Sequence, residues 1–210
     1  LIHDDIQDES ETRRGRPTLW HRWGEAQAIN AGDAMFALAH IALERLEKDN
    51  PAEVYLQAGK LLPRTSLHLT QGQYLDLAYE TAEELDVAAY WPMVLGKTAV
   101  LLSTCAQLGA LVAGADPQRV EAYREFGEKL GLAFQVHDDL LGIWGEAEQT
   151  GKSAHSDLAS GKKSLPVLYG LKQGGEFARL WNGKQRQEAE VRQMARLLEE
   201  EGGRDFAEQN

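Results

Sequence analysis

Two short acidic runs carry the first chemical signal in this sequence. Asp4, Asp5 and Asp8 fall in Leu1-Ile2-His3-Asp4-Asp5-Ile6-Gln7-Asp8, and Asp138 and Asp139 fall in Phe134-Gln135-Val136-His137-Asp138-Asp139-Leu140-Leu141. On a helix, Asp4 and Asp8 project from one face with β-carbons about 5–6 Å apart, so their carboxylates repel unless a cation lies between them. Aspartate is also a poor residue for a helix interior. The plain alternative is a solvated, acid-rich helix turn favoured by the macrodipole. The apolar neighbours Leu1, Ile2 and Ile6 point instead to the rim of an apolar interior, and the second pair is more apolar still. An unpartnered carboxylate there would cost several kcal/mol. Two such clusters read as facing walls of one cavity that holds hard cations, and all-oxygen ligands favour Mg²⁺, which shares its shell with phosphate oxygens. Basic residues follow each cluster: Arg13 and Arg14 after the first, and Lys152, Lys162 and Lys163 after the second. Any one of them alone would read as a solvated loop base. Their placement beside both clusters reads as a Mg²⁺–diphosphate site, arginine gripping with two donors and lysine acting as a point charge.

The elements that must position these groups are helical. Ala, Leu, Glu, Gln and Arg are abundant, and no run of alternating β-branched residues counts as a strand. Helices are expected at 1–12, 22–48, 52–80, 86–113, 117–146, 164–173 and 185–201, with loops at Arg13–His21, Gln149–Lys163 and Gly174–Lys184. Asn50-Pro51 and Asp116-Pro117 read as helix caps with proline at the first helical position. Pro63 and Pro92 mark boundaries or kinks. Val191, Met194, Leu197 and Leu198 form one stripe of a surface helix packed on a bundle. The absence of a linker or low-complexity tract favours one domain over residues 1–210.

Composition bounds the class. The 210 residues carry 22 basic and 33 acidic side chains, a formal charge of −11, with 43% hydrophobic and 26% charged residues. This is ordinary for a globular protein and too apolar for disorder. The acidic balance argues against nucleic acid as main partner, but a small phosphorylated ligand needs only a local basic cluster. No uninterrupted apolar run reaches the roughly 18 residues of a membrane span. The single cysteine, Cys105, rules out a disulfide framework and a Cys-built zinc site; in its apolar run it reads as a core residue in a reducing, cytoplasmic compartment. His3 and His137 read as supporting or packing residues. His21, His40, His68 and His155 lack zinc spacing, and the five tryptophans read as packing residues. No targeting segment is visible, and both ends read as cut.

The ordered set of motifs resembles the trans-prenyltransferases, the polyprenyl diphosphate synthases, and among them short-chain farnesyl and geranylgeranyl diphosphate synthases. Asp4-Asp5-Ile6-Gln7-Asp8 is similar to the family's first aspartate-rich motif, followed at its spacing by Arg13-Arg14-Gly15. Gly72-Gln73-Tyr74-Leu75-Asp76 is similar to its Gly-Gln-x-x-Asp motif and Lys97-Thr98 to its Lys-Thr pair. Phe134 to Asp139 resembles the second aspartate-rich motif, and Thr150-Gly151-Lys152, Asp157 and Lys162 the loop behind it. The resemblance implies an all-α bundle around a central cavity, here lacking N-terminal helices and part of the C-terminal one. It implies Asp4, Asp8 and Asp138 as Mg²⁺ ligands, with Asp5, Asp139 and Gln73 as supporting or water-mediated groups and Asp76 at the substrate site. Arg13, Lys97, Gln135, Lys152 and Lys162 would hold the allylic diphosphate, assisted by Thr98, and Arg14 would contact isopentenyl diphosphate. Met35, Phe36, Leu67 and Phe134 would lie against the growing chain. The implied reaction ionises the allylic diphosphate, the isopentenyl double bond attacks the cation, and a proton leaves to the departing diphosphate, with no protein nucleophile. A homodimer is implied as well.

The chain departs from the family pattern in three ways. Gly142 stands where the second motif ends in aspartate; if that carboxylate acts through water, activity survives, and otherwise the third metal is weakened. An upstream Gly-Gly-Lys-Arg segment has no counterpart, and the closing C-terminal helix is incomplete. Two other readings remain. A class I terpene cyclase would carry an Asn/Ser/Glu-type second motif in place of Asp138-Asp139. A non-catalytic subunit of a heteromeric synthase would accommodate Gly142, but has little reason to retain the first motif.

Overall fold

A computed structural model describes residues 1–82, 84–145, 155–181 and 187–210. The chain forms two compact units, Leu1–Leu62 and Pro63–Asn210.

In the first unit, α1 (Ile2–Gln7) leads into a hairpin of β1 (Thr12–Arg13) and β2 (Arg16–Pro17), followed by α2 (Leu19–Trp23), α3 (Glu25–Glu44), α4 (Leu46–Asp49) and the first turns of α5 (Ala52–Thr81). The expected helix 1–12 therefore ends early, with Asp8 as its cap. The hairpin pairs Thr12 with Pro17 and Arg13 with Arg16. Strands of two residues leave no alternation to detect. The turn residues Arg14 and Gly15 have φ of +53° and +73°, the positive values that tight two-residue hairpin turns require. Gly24, at φ +84°, divides the expected helix 22–48 into α2 and α3. Asn50 does not cap α5: its side chain donates to the Leu46 carbonyl (3.1 Å) and closes α4. His3 packs on α3, its Nε2 3.2 Å from the Ile29 carbonyl oxygen. A β-carbon at Gly32 would lie 2.2 Å from that ring, so the close approach of α1 to α3 depends on glycine.

In the second unit, α5 continues through Pro63 to Thr81. It is followed by α6 (Val87–Val94), a π-helical stretch (Leu95–Ala99), α7 (Val100–Val112), α8 (Pro117–Trp144), α9 (Ser156–Ser160), α10 (Leu165–Gln173), α11 (Glu176–Leu180), α12 (Glu188–Glu200) and α13 (Gly203–Gln209). Asp116 caps α8 by accepting from Arg119 N at 3.0 Å, with Pro117 at the first helical position. The short helices α9 and α11 lie inside the expected loops. One core joins Ile143, Leu158, Val167 and Phe177 to Val191, Met194 and Leu198, so the α12 stripe packs as expected. A second core gathers Tyr90, Val94, Val136, Leu165 and Leu168. Cys105 is exposed, contrary to the core position expected. The buried side of α7 carries Ser103, Thr104, Ala110 and Leu111, which turns Cys105 outward. Val87–Val112 is long and apolar enough to cross a membrane by length and composition (mean hydropathy 1.4). Its Lys97 is ion-paired with Asp76, however, and α7 lies along α8.

Glycines let these helices approach closely at two crossings. A β-carbon at Gly72 would lie 2.1 Å from Lys97 N, and one at Gly131 would lie 2.4 Å from Ala99 Cα. Backbone therefore meets backbone where α5 and α8 cross the π-helical stretch. Gly72→Ala cannot be relieved by a rotamer change and is expected to cost about 2 kcal/mol or more, lowering Tm by at least ~4 °C. Gly109, with nothing within 4 Å of its β-position, is the control: Gly109→Ala is expected to leave Tm unchanged or raise it. Thermal unfolding of both variants checks this.

Candidate active site

In the first unit the carboxylates of α1 are organised by the hairpin. The Arg14–Gly15 turn folds the chain back. Thr18 Oγ1 and Trp20 Nε1 both donate to the Ser10 carbonyl at 2.8 Å, which fixes the segment between α1 and α2. Arg13 then reaches α1: its Nε donates to Asp5 Oδ1 at 2.5 Å and its Nη2 to Asp4 Oδ2 at 3.0 Å. Burial works against the Arg13 charge, but Asp5 and then Asp4 more than offset it and raise its pKa. Asp5 is buried at 6% exposure, Asp4 is half-buried, and Asp8 is exposed at the end of α1. Asp8 N closes the last helical turn by donating to Asp4 O at 2.9 Å, which keeps the two aspartates one turn apart. Arg14 is exposed at the hairpin tip.

In the second unit the centre is Asp139, only 1% exposed. Both of its oxygens are occupied. Oδ1 accepts from Gln135 Nε2 and Lys162 Nζ, each at 3.1 Å, and Oδ2 from Tyr90 OH at 2.8 Å and Leu165 N at 3.1 Å. Gln135 accepts in turn from Thr98 Oγ1 at 2.8 Å and reaches Asp138 Oδ2 at 3.5 Å. Lys97 is ion-paired with Asp76. Thus the π-helical stretch, α6, α8 and the approach to α10 all contribute to one polar network, and the Lys97–Asp76 pair joins the stretch to α5. Burial works against the Lys162 ammonium, but Asp139 and then Asp157 more than offset it, so its pKa is raised. Burial first, and then Asp139, push the Tyr90 phenol well above its ordinary range. Asp138 is exposed one residue before the hub, as is His137.

Several expected residues separate here. Asp139 is a fully bonded anchor and Asp138 the accessible carboxylate of the pair. Lys163 does not join the phosphate-binding set: its Nζ donates to the carbonyls of Tyr79 (2.6 Å) and Ala82 (2.5 Å) and closes the end of α5. Lys152, with Thr150 and Gly151, lies outside the described residues. Met35, Phe36, Leu67 and Phe134 are exposed. Sequence reasoning missed Tyr90. The available signal was its position seven residues, two helical turns, before Lys97. Among the described residues no three His, Cys, Asp or Glu side chains converge as a closed metal cage. Gln73 Nε2 is buried without a hydrogen-bond partner, an orphaned donor within the expected substrate motif. Carboxylate pairs suit a hard cation that keeps waters and shares phosphate oxygens, and the Gln73 amide N–H suits an acceptor such as a water or phosphate oxygen.

A sequence profile described as polyprenyl synthetase matches residues 1–200. The chain belongs to the polyprenyl synthetase family. It is 42% identical to a (2E,6E)-farnesyl diphosphate synthase of Mycobacterium tuberculosis, over 99% of this chain and 59% of that protein. It is 37% identical to a geranylfarnesyl diphosphate synthase of Aeropyrum pernix, over 99% of this chain and 66% of that one. The crystal structure of a polyprenyl synthetase from Streptomyces coelicolor A3(2) superposes with a TM-score of 0.89 at 39% identity, covering 99% of this chain and 63% of that one. This polyprenyl synthetase-family chain thus spans about three-fifths of the length of these relatives, and the helical fold expected for the family is the fold observed.

Tyr90→Phe removes one of four donors from the buried Asp139 carboxylate. The expected cost is about 1–3 kcal/mol, a fall in Tm of roughly 2–12 °C, with helical content retained by circular dichroism.

Proposed function

We propose that the chain is the catalytic portion of a Mg²⁺-dependent trans-prenyltransferase that condenses isopentenyl diphosphate with an allylic diphosphate to a linear all-trans product, farnesyl or geranylgeranyl diphosphate among the candidates. The observation that carries this reading is the network around Asp139, which ties Gln135, Thr98 and Lys162 together beside the accessible Asp138. The relatives' names, all diphosphate synthases, support transfer over terpene cyclisation and over a silent partner subunit.

In this reading Asp4 and Asp8 in the first unit, and Asp138 in the second, ligate Mg²⁺. Arg13 sets Asp4 and Asp5 and holds the allylic diphosphate together with Lys97, Gln135 and Lys162. Lys152 is assigned to the same task from the sequence, and Arg14 to isopentenyl diphosphate. Gln73 and Thr98 offer further donors. Bound Mg²⁺ would supply Lewis-acid assistance to departure of the diphosphate. The protein's own cations neutralise the leaving charge at fixed positions, which is electrostatic rather than covalent catalysis. The carbocation is attacked by the isopentenyl double bond, and the proton passes to the released diphosphate.

We infer a cytoplasmic homodimer. The exposed side chains of Phe36, Leu38 and Ile41 on α3 support association. Light scattering at moderate concentration is expected to show self-association; a monodisperse monomer would overturn this part of the reading.

Turnover with Mg²⁺, isopentenyl diphosphate and allylic diphosphates of increasing length, with products read by mass spectrometry, tests the activity. Linear prenyl diphosphates are expected, abolished by EDTA and restored by Mg²⁺. Asp4→Asn is expected to lower kcat by about 100-fold or more, the scale seen when one preorganised electrostatic group is removed. A cyclic hydrocarbon formed without isopentenyl diphosphate would overturn the assignment.

A further inference from the structure

Two adjacent lysines follow α9, and the second takes no part in the polar network around Asp139. Lys163 turns instead to the end of α5, where its Nζ donates to the carbonyls of Tyr79 (2.6 Å), Ala82 (2.5 Å) and Glu80 (3.2 Å). An ammonium has three N–H donors, so its whole capacity goes to this one helix end. A helix leaves its last four carbonyls without intrahelical partners and carries partial negative charge there. α5 has no basic residue in its last turn to meet either condition. Its own sequence works against it: Glu80 lies in that turn, and Glu83, Glu84 and Asp86 follow closely. Thr81 Oγ1 meets one carbonyl, that of Ala78, at 3.4 Å. The cation comes from a residue 84 positions beyond Tyr79.

A second lysine reaches the same acidic connection but differs in kind. Lys172 Nζ lies 3.3 Å from Asp86 Oδ1, with both side chains more than half exposed, a setting in which an ion pair contributes little. Lys163 is half-buried, and Leu75 and Tyr79 of the same turns pack on the core that contains Leu165 and Leu168. The end of α5 is therefore fixed by apolar packing and by the Lys163 ammonium together. Asp76 lies one turn before Glu80 and is ion-paired with Lys97 of the π-helical stretch.

We propose that Lys163 is a positioning residue: by capping α5 from outside that helix, it fixes the turn from which Asp76 grips Lys97. Lys163 itself touches no substrate. In the prenyltransferase reading, on which this half of the inference rests, Lys97 holds the allylic diphosphate, so the cap acts on binding at one remove, through Asp76.

Thermal unfolding of the unaltered chain, Lys163→Met, Asp76→Asn and the double variant tests the structural half. Lys163→Met keeps an apolar stem and removes the charge; it is expected to lower Tm by roughly 4–8 °C, the effect of losing a partly buried cation from a helix C-terminus. Lys172→Met removes the same charge from the exposed pair and is expected to shift Tm by less than about 2 °C. Asp76→Asn is expected to cost less in the Lys163→Met background, because the turn that aims Asp76 has already loosened. Equal costs in the two backgrounds would overturn the coupling, and an unchanged Tm in Lys163→Met would overturn the cap. In turnover, a merely structural cap leaves KM alone. The positioning role is expected to raise KM for the allylic diphosphate about tenfold in Lys163→Met, the scale of one charge-assisted contact, with kcat falling less and Lys172→Met unaffected. An unchanged KM in Lys163→Met would sink the positioning role. Should the unaltered chain make no prenyl product, the activity reading fails, while the unfolding cycle still decides the cap and its coupling to Asp76.

Discussion

A carboxylate cannot be left bare inside a protein, and the second unit is organised around that constraint. Asp139 is almost wholly out of water, a situation that costs several kcal/mol unless the charge is bonded and paired. Four donors meet it: a phenol from α6, an amide from the preceding turn of α8, an ammonium from the segment after α9 and a backbone N–H at the start of α10. The amide comes with α8 itself, but the other three are in place only when the helices are packed. Folding of the second unit and assembly of its polar site are accordingly the same event. The adjacent Asp138 inherits its position from this anchor, being one residue along the same helix and directed away from the core.

The first unit meets the same electrostatic problem differently. Asp5 is buried and Asp4 half-buried, and a guanidinium carried on a hairpin meets both. The turn that makes this possible needs positive φ at two successive residues, one of them not glycine. Arg14 therefore tolerates an uncommon backbone conformation. Asp139 is stabilised by depth and several partners, Asp4 and Asp5 by a guanidinium from a tight turn. The second pair is consequently anchored by the fold, and the first by local chain geometry.

Much of this was legible in the sequence, because most of the information was periodic or clustered. The long helices, the Asp116-Pro117 cap and the α12 stripe follow from spacing alone. The paired acidic runs with trailing basic residues pointed to the groups that the fold uses. What escaped were features with no period or with a partner distant in sequence. The hairpin is too short to alternate. Tyr90 lies 49 residues from the Asp139 it serves. Lys163 neighbours Lys162 in the chain but turns to the end of α5, and nothing local distinguishes two adjacent lysines with opposite assignments. Cys105 sits in an apolar run in which the buried neighbours are the polar Ser103 and Thr104, Thr104 being joined to Thr65 by a 2.7 Å hydrogen bond, so hydrophobicity indicated the wrong side of α7.

The π-helical stretch at Leu95–Ala99 sets a phase as well as a local shape. A π turn accommodates one residue more than an α turn, and each α-helical residue advances the side-chain direction by about 100°. The residues of α6 and α7 therefore belong to two helical wheels offset by one step, although the chain between them is unbroken. Removing a single residue from the stretch would restore one regular wheel and leave the residues beyond it facing as they do. Winding the same residues as α-helix instead would turn everything beyond by about 100°: Leu102 would take the buried direction that Ser103 has, and Thr104 the exposed direction that Cys105 has. The inward face of α7 is thus tied to one inserted residue and to the wide turn that absorbs it.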